Sequence, residues 1–516
     1  VTKYVDRPFN IRPLCFWALL VVITILLLGL SPWAAGAFVI VFALALYGLS
    51  FTKSKDKVLQ FLGTSRAFFI TAIVLCMAVI LSYGITTLVH TNQKSFAGTH
   101  QLAGTVESYN LRAPEHGVSF MTLSGVKFGD KKVGGRVVVF IGDYTDQDTN
   151  IEIGSRVSFT SALNASDPKP ISVNNRTRYT ANVDFDKISV GDKSNEVKHV
   201  ISRYSKSFLH KYMTDINAGL LHSMLFGDKS SLDGDLDASF TIGGIVHVIA
   251  VSGFNVALIV GMLLPFLKLC RVNRKAQLPI VAAVLLFYCY LCDFNFPILR
   301  ATIMFIVMFF NRIYLRNSDM LSGLCMAGIA TLLIFPYALS SWSFQLSYVC
   351  MLGIALFYMP TERLLKRTLI KKTPNWVNTC QMFLIRGVSM YVAVNIAIFP
   401  LLVKMFGVFP TYGLICNLIF VPILALSFCI SLVALLTWVG QILLYPVDWL
   451  VTFVRLGMGE ITSWWGAQIH ISNGGAWFLA YLVAMILTTR FVFVRPLYKY
   501  CAAGALFGVY LIGFLV

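Results

Sequence analysis

Acidic residues are scarce in this chain: 24 Asp and Glu stand among 516 residues, against 42 Lys and Arg, for a net charge of +18. Charge of either sign accounts for only 13% of the residues, while 57% are hydrophobic and mean hydropathy is +0.73. A water-soluble chain of this length is not so apolar, so a soluble enzyme or binding module is excluded. The composition is that of a polytopic α-helical membrane protein. Cysteine is missing from segment 91–198, which excludes a disulfide framework there. The 11 cysteines lie in or beside apolar runs, and Cys289 and Cys292, a CxxC inside one such run, read as packing. No GxxxxGK[ST] occurs, so the chain brings no ATP motor of its own. No His/Cys/carboxylate cluster has zinc spacing, and neither a metal nor a cofactor is expected.

What is present in abundance is membrane-length apolar sequence. Runs near 14–30, 33–50 and 67–89 open the chain as N-terminal transmembrane helices within 1–90. The first run is followed after Ser31 and Pro32 by another, which predicts a retained helix pair and not a cleaved signal. Further spans are expected near 240–267, 277–292, 297–315, 320–339, 342–359, 381–403, 411–438, 441–459, 476–489 and 497–515, about thirteen in all. Basic residues gather in short loops: Lys3, Arg7 and Arg12; Lys53, Lys55, Lys57 and Arg66; Arg271, Arg274 and Lys275; Arg363 to Lys372; Arg490 and Arg495. Positive-inside topology then puts the N-terminus in the cytoplasm and 91–198 outside.

Segment 91–198 has a different character. It holds eight Lys and five Arg against twelve Asp and Glu, so it is close to neutral. Gln101–Tyr109, Ser119–Leu123, Arg136–Ile141 and Arg156–Ala162 are short β-branched runs separated by Gly and Asp, the pattern of a small, OB-like β-barrel. Such barrels hold single-stranded nucleic acid on aromatic platforms beside basic grooves. The candidates for that role are Tyr109, Phe120, Phe128, Phe140, Tyr144 and Phe159, with Lys127, Lys131, Lys132 and Arg136. Half of those aromatics are expected in the barrel core. Val197–Phe226 follows as an amphipathic helix on the outer surface, its apolar residues recurring at i+4, and an acidic loop completes a 199–241 connector.

The most informative stretch is Phe240–Leu267, an apolar run interrupted by polar side chains. On one helix His247, Val251 and Asn255 fall at i, i+4 and i+8, with Ser252 near the same side. Gly243–Gly244 and Gly253 add small-residue surfaces or a break. Polar groups at membrane depth are costly, and they face a bundle interior or a water-filled path. The alternative is plain hydrogen bonding between helices. Three further signals share this logic: Arg300, several residues inside its span with Asp293 before it; Gln345 and Ser347 in SWSFQLSY; and Asn417 in a helix flanked and interrupted by Pro410 and Pro422.

HVIAVSGFNVAL, PILRATIM, SFQLSYVCMLGIALF and FPLLVKMFGVFPTYGLICNLIFVPI, in this order and spacing, resemble the ComEC competence proteins, inner-membrane channels for DNA uptake in natural transformation. The likeness covers almost the whole chain, with 242–516 corresponding to the channel core. It implies that His247, Ser252, Gly253, Arg300, Gln345, Ser347, Asn417 and Pro422 occupy recurrent polar or shaping positions, and Asn255 stands where a second histidine is common. It also implies single-stranded DNA and membrane lipids as partners, with an extracytoplasmic DNA receptor, a cytoplasmic ATP-driven motor or single-strand-binding proteins, and room for a homo-oligomer. Many members continue into a metallo-β-lactamase-like domain. This chain stops at Val516 without an HxHxD sequence, so no nuclease is expected in it.

Two rivals remain from the residues alone. One is a transporter of another amphiphile or polymer, such as a lipid-linked saccharide, which would use the same polar interior. The other is an intramembrane hydrolase built on His247 and Ser252, whose i, i+5 spacing suits a direct bond poorly.

Overall fold

The computed structural model describes residues 13–49, 66–91, 98–110, 119–129, 131–142, 151–166, 172, 177–228, 232, 234–314, 320–369, 375–437 and 440–470. The spans expected at 476–489 and 497–515, the basic loop Lys53–Lys57, Lys371 and Lys372, and Tyr144 lie outside them. The chain forms two compact units, Val1–Tyr204 with Cys325–Phe344, and Ser205–Leu324 with Gln345–Val516.

In the first unit, α1 (Pro13–Leu30), α2 (Pro32–Leu49) and α3 (Arg66–Thr91) form where the three opening apolar runs were found. Leu20, Val39, Ala72 and Cys76 make their common core. A sheet follows, built of β1 (Thr99–Asn110), β2 (Ser119–Phe128), β3 (Lys131–Lys132), β4 (Arg136–Gly142), β5 (Ser155–Ala162), β6 (Asn164–Ala165), β7 (Thr177–Asp184) and β8 (Ser189–Lys193). Its order is β6-β7-β4-β2-β1-β5-β8, with β3 on β2, and every long pairing is antiparallel except β4 with β7. Alternate residues of each long strand point to one face, so Leu102, Val106, Met121, Leu123, Val137, Val139 and Ala181 bury together. Ser161 of β5 donates to the Asn182 carbonyl of β7 at 2.7 Å, a bond between strands that are not ladder neighbours, so the sheet curls.

α4 (Val197–Tyr212) leads into the second unit and ends where α5 (Asp215–Phe226) begins. This corrects the single surface helix expected over Val197–Phe226. α5 is buried from Asn217 to Leu225, with its apolar residues not confined to one stripe and Asn217, His222 and Ser223 buried among them. Asp448 fixes its start, accepting from the Thr214 N–H at 3.1 Å and from the Asn217 amide at 2.8 Å.

The helices that follow are α6 (Gly234–Ile242), α7 (Val246–Ile249), α8 (Gly253–Leu269), α9 (Arg274–Leu291), α10 (Phe296–Tyr314), α11 (Met320–Ile334), α12 (Trp342–Leu369), α13 (Asn375–Phe406), α14 (Gly413–Leu436) and α15 (Gly440–Ser463). Between α13 and α14 lies β9 (Val408–Pro410), and β10 (Gln468–His470) follows α15 to pair with it. Leu220, Phe240, Ile245, Phe428, Val451 and Met458 belong to one continuous core in the second unit. The protein is thus mostly helical, with a separate sheet region. Among the described residues seven helices are long and apolar enough to cross a membrane: α3, α9, α10, α12, α13, α14 and α15.

Candidate functional site

The run Phe240–Leu267 is not one helix. α6 stops at Ile242, Gly243 and Gly244 turn the chain, α7 makes a single turn, and residues Ala250 to Ser252 are extended before α8 starts. The expected stripe of His247, Val251 and Asn255 at i, i+4, i+8 therefore does not exist as a helix face. The local causes are visible. Gly244 adopts φ +70°, the left-handed region that other residues avoid, and a Cβ there would lie 2.7 Å from the Pro410 ring. Ser252 is the N-cap of α8, its hydroxyl accepting from the Phe254 N–H at 3.2 Å.

His247 sits on the open side of α7. Val248 and Ile249 beside it are fully buried, yet His247 is exposed. Its ring interacts with the Gly244 backbone. Asn417, one turn into α14, donates to the carbonyl of Gly413 at 2.7 Å and reaches the Gly244 carbonyl at 3.5 Å, at the limit of a hydrogen bond. The two residues thus meet at Gly244. Pro422 does not interrupt this helix: α14 runs through it from Gly413 to Leu436, as membrane helices tolerate where neighbours compensate.

Gly253 opens α8 against α10, where a Cβ would stand 3.2 Å from the Ala301 Cβ. The close approach places the start of α8 beside Arg300. Arg300 itself is buried, with its guanidinium 5.4 Å from the centre of the Tyr348 ring on α12. Gln345 and Ser347 are half-buried on the same helix, within one turn of Tyr348. α8 begins just after α7, α14 begins where Gly413 lies by Gly244, and Ala301 of α10 packs on Gly253; helix N-termini carry partial positive charge.

Asn255 has a different position. It is 1% exposed, and its amide donates to the Met224 carbonyl at 2.6 Å and to the Tyr288 hydroxyl at 3.2 Å, while that hydroxyl donates to the Leu225 carbonyl at 3.0 Å. Those carbonyls belong to the last turn of α5, which has no internal partners for them. Tyr288 was not singled out from the sequence because a tyrosine in an apolar helix looks like filling, and Tyr348 was overlooked for the same reason. Cys289 contacts the Thr302 hydroxyl at 3.3 Å and Cys292 the Leu225 carbonyl at 3.7 Å, so the CxxC pair faces two different partners.

On the sheet, the candidate residues separate into two places. Lys127 and Lys132 are directly opposite across β2 and β3, exposed, with Lys131 beside them. Phe120 is at the other end of β2, seven residues away and about 23 Å along the strand, opposite Phe140 of β4. Tyr109 lies by Phe120 and is partly buried, whereas Phe128 and Phe159 are core. Arg136 pairs with Glu107 at 2.5 Å, and Glu107 also meets Lys198 at 3.4 Å. Among the described residues no group of three or more His, Cys, Asp or Glu is placed to hold a metal ion.

A family model described as "Competence protein" matches residues 224–496, just over half of the chain and all of the site residues in the helical core. The chain belongs to the ComEC competence protein family. It is similar to an uncharacterised protein of Aquifex aeolicus (strain VF5), 29% identical over 164 residues, or 31% of this chain and 38% of that protein. It is also similar to ComE operon protein 3 of Bacillus subtilis (strain 168), 23% identical over 159 residues, or 31% of this chain and 20% of that one. The match therefore spans well under half of either relative. No solved structure matches. Membership fits the membrane helices and leaves the roles of individual residues to the geometry.

Proposed function

We propose that this protein carries single-stranded DNA across the bacterial cytoplasmic (inner) membrane during natural transformation, with the second unit as the route. The observation that carries the reading is His247, exposed on a single helical turn between two breaks in the helical core. Non-helical backbone at membrane depth is tolerated where it lines a cavity. Beside it the starts of α8 and α14 offer partial positive charge, and Arg300, next to the Ala301 that packs on Gly253, adds a full one. A polyanion needs such potential, together with polar groups that grip weakly enough to let go. Ser252, Gly253, Gln345, Ser347 and Asn417 supply or shape those groups, and Asn255 holds the wall behind them.

In this reading the chain has about thirteen spans, its N-terminus is cytoplasmic and the sheet region is extracytoplasmic. The strand order supports an OB-like barrel: β1, β2 and β4 form a meander, β7 runs parallel to β4, β5 is antiparallel to β1, and Ser161–Asn182 draws β5 to β7. The Lys127–Lys132 pair favours contact with phosphates, since like charges opposite one another cost stability unless an anion joins them. Strand capture or a cytoplasmic ATP-driven motor supplies the pull, an extracytoplasmic receptor delivers DNA, and lipids or further copies complete the assembly. The engaged Ser252 hydroxyl supports a carrier over a hydrolase.

The test is uptake of labelled donor DNA by cells lacking the protein, scored separately for surface binding and cytoplasmic arrival. The expected result is DNA that binds and does not enter, restored by the wild-type chain. Unimpaired entry would overturn the reading and favour a transporter of another amphiphile.

A further inference from the structure

The last described helix, α15, leads into an aromatic turn that the route above does not use. After α15 the chain passes through Trp464, Trp465 and Gly466 into β10, which pairs with β9 in the register Gln468–Pro410, Ile469–Phe409 and His470–Val408. The turn is tied by the Tyr412 hydroxyl donating to the Trp465 carbonyl and the Thr411 N–H donating to the Ala467 carbonyl, both at 3.1 Å. The rings of Tyr412 and Trp464 meet edge to face with centroids 5.5 Å apart. So held, Trp464 and Trp465 still face outward, 49% and 96% exposed. The ribbon beneath them is the one whose Pro410 closes over Gly244, ahead of His247.

We propose that Trp465, with Trp464 and Tyr412, is a stacking platform for the unpaired bases of single-stranded DNA at the entrance to the His247 route. The inference rests on the function proposed above. A route for DNA of any sequence needs grip that does not read sequence, and base–aromatic stacking provides it because every base presents a π-face. Rigid rings lose little freedom when a base settles on them, and here the backbone ties fix the turn before any base arrives. Tryptophan also anchors proteins at the membrane interface. An anchor needs only depth, however, whereas these rings stand on the ribbon that braces the break in the route.

The experiment uses the full chain in lipid nanodiscs, irradiated with an oligonucleotide carrying 5-iododeoxyuridine, with adducts mapped by peptide mass spectrometry. A parallel sample receives a benzophenone-bearing lipid. The proposal predicts adducts on Trp464, Trp465 or Tyr412 that unlabelled oligo-dT displaces. It also predicts a loss of affinity on the order of tenfold in Trp465→Ala, with most of it retained in Trp465→Phe. Adducts confined to other parts of the chain would overturn the platform and leave the proposed function standing. Lipid labelling of the turn without a DNA adduct would make it a membrane anchor. No adduct anywhere, together with unimpaired uptake in cells lacking the protein, would remove both.

Discussion

The sheet of the first unit and the helical core of the second use polar side chains in opposite ways. On the sheet, charges answer charges: Glu107 takes Arg136 and Lys198, Lys193 meets Glu152 at 2.6 Å, and Lys187 meets Asp184 at 2.5 Å. The Lys193 and Lys187 pairs stand at water-exposed positions, where each is worth about 0–1 kcal/mol and can be exchanged. In the core, polar side chains answer backbone: Asn255 and Tyr288 cover the last carbonyls of α5, Asn417 covers Gly413, and Ser252 caps α8. Leaving a buried carbonyl without its partner costs about 1–3 kcal/mol. The difference teaches that a polar residue inside an apolar run is first a candidate for repairing a helix end. One that stays exposed without capping a helix end, as His247 does, points most directly to a route.

The comparison breaks most sharply at Asn255. Asn255→Leu leaves the Met224 carbonyl and the Tyr288 hydroxyl without their amide, and we expect a loss of about 2–4 kcal/mol in the stability of the purified protein. His247→Leu should leave the melting temperature within a few degrees of wild type while abolishing DNA entry. Equal stability losses in the two variants would remove the distinction. Gly244→Ala comes next, because it imposes left-handed strain and a contact with Pro410 together. It should cost about 1–3 kcal/mol and reduce entry as the α7 turn is displaced.

The sheet offers smaller effects with a different signature. Gly154 has φ +87°, and a Cβ there would be 2.9 Å from the His199 Cβ, so Gly154→Ala should loosen this edge of the sheet from α4, raising hydrogen exchange in Ser155–Ala162. His199 is buried beside Lys198, and its imidazole is held below the ordinary histidine value, chiefly by burial and next by that cation. The unfolded state therefore takes up a proton first. Stability from this contact is fully present above the unfolded histidine pKa of about 6.5 and is lost as pH falls below it. Protection of the same segment should fall on acidification in wild type and vary less in His199→Gln. The smallest effect is electrostatic: Lys127→Gln with Lys132→Gln should weaken single-strand binding mainly at low salt.

Much of this architecture could be read from the sequence, for identifiable reasons. Apolar runs of membrane length fix the helices, and α9, α10, α13, α14 and α15 lie within a few residues of their expected positions. β1, β2, β4 and β5 were legible as short β-branched runs separated by Gly and Asp. β7 was not, since Thr177–Asp184 (TRYTANVD) mixes polar residues on its outer face and pairs in parallel with a distant strand. The break in Phe240–Leu267 was present as Gly243–Gly244 and as Ser252 before Gly253, a glycine turn and a helix cap. Hydropathy averages over both, so the polar residues looked like one stripe. Whether a buried amide meets a carbonyl or a cavity depends on a helix thirty residues away, as with Asn255 and Met224.

The most direct test of the account is the reactivity of His247→Cys in the full chain. It should be probed with a charged, water-soluble methanethiosulfonate, located by mass spectrometry, with and without single-stranded DNA, and with Asn255→Cys as the buried control. The account predicts labelling at 247, protection by DNA and none at 255. No reaction at 247, or reaction only with a lipid-soluble thiol reagent, would contradict it.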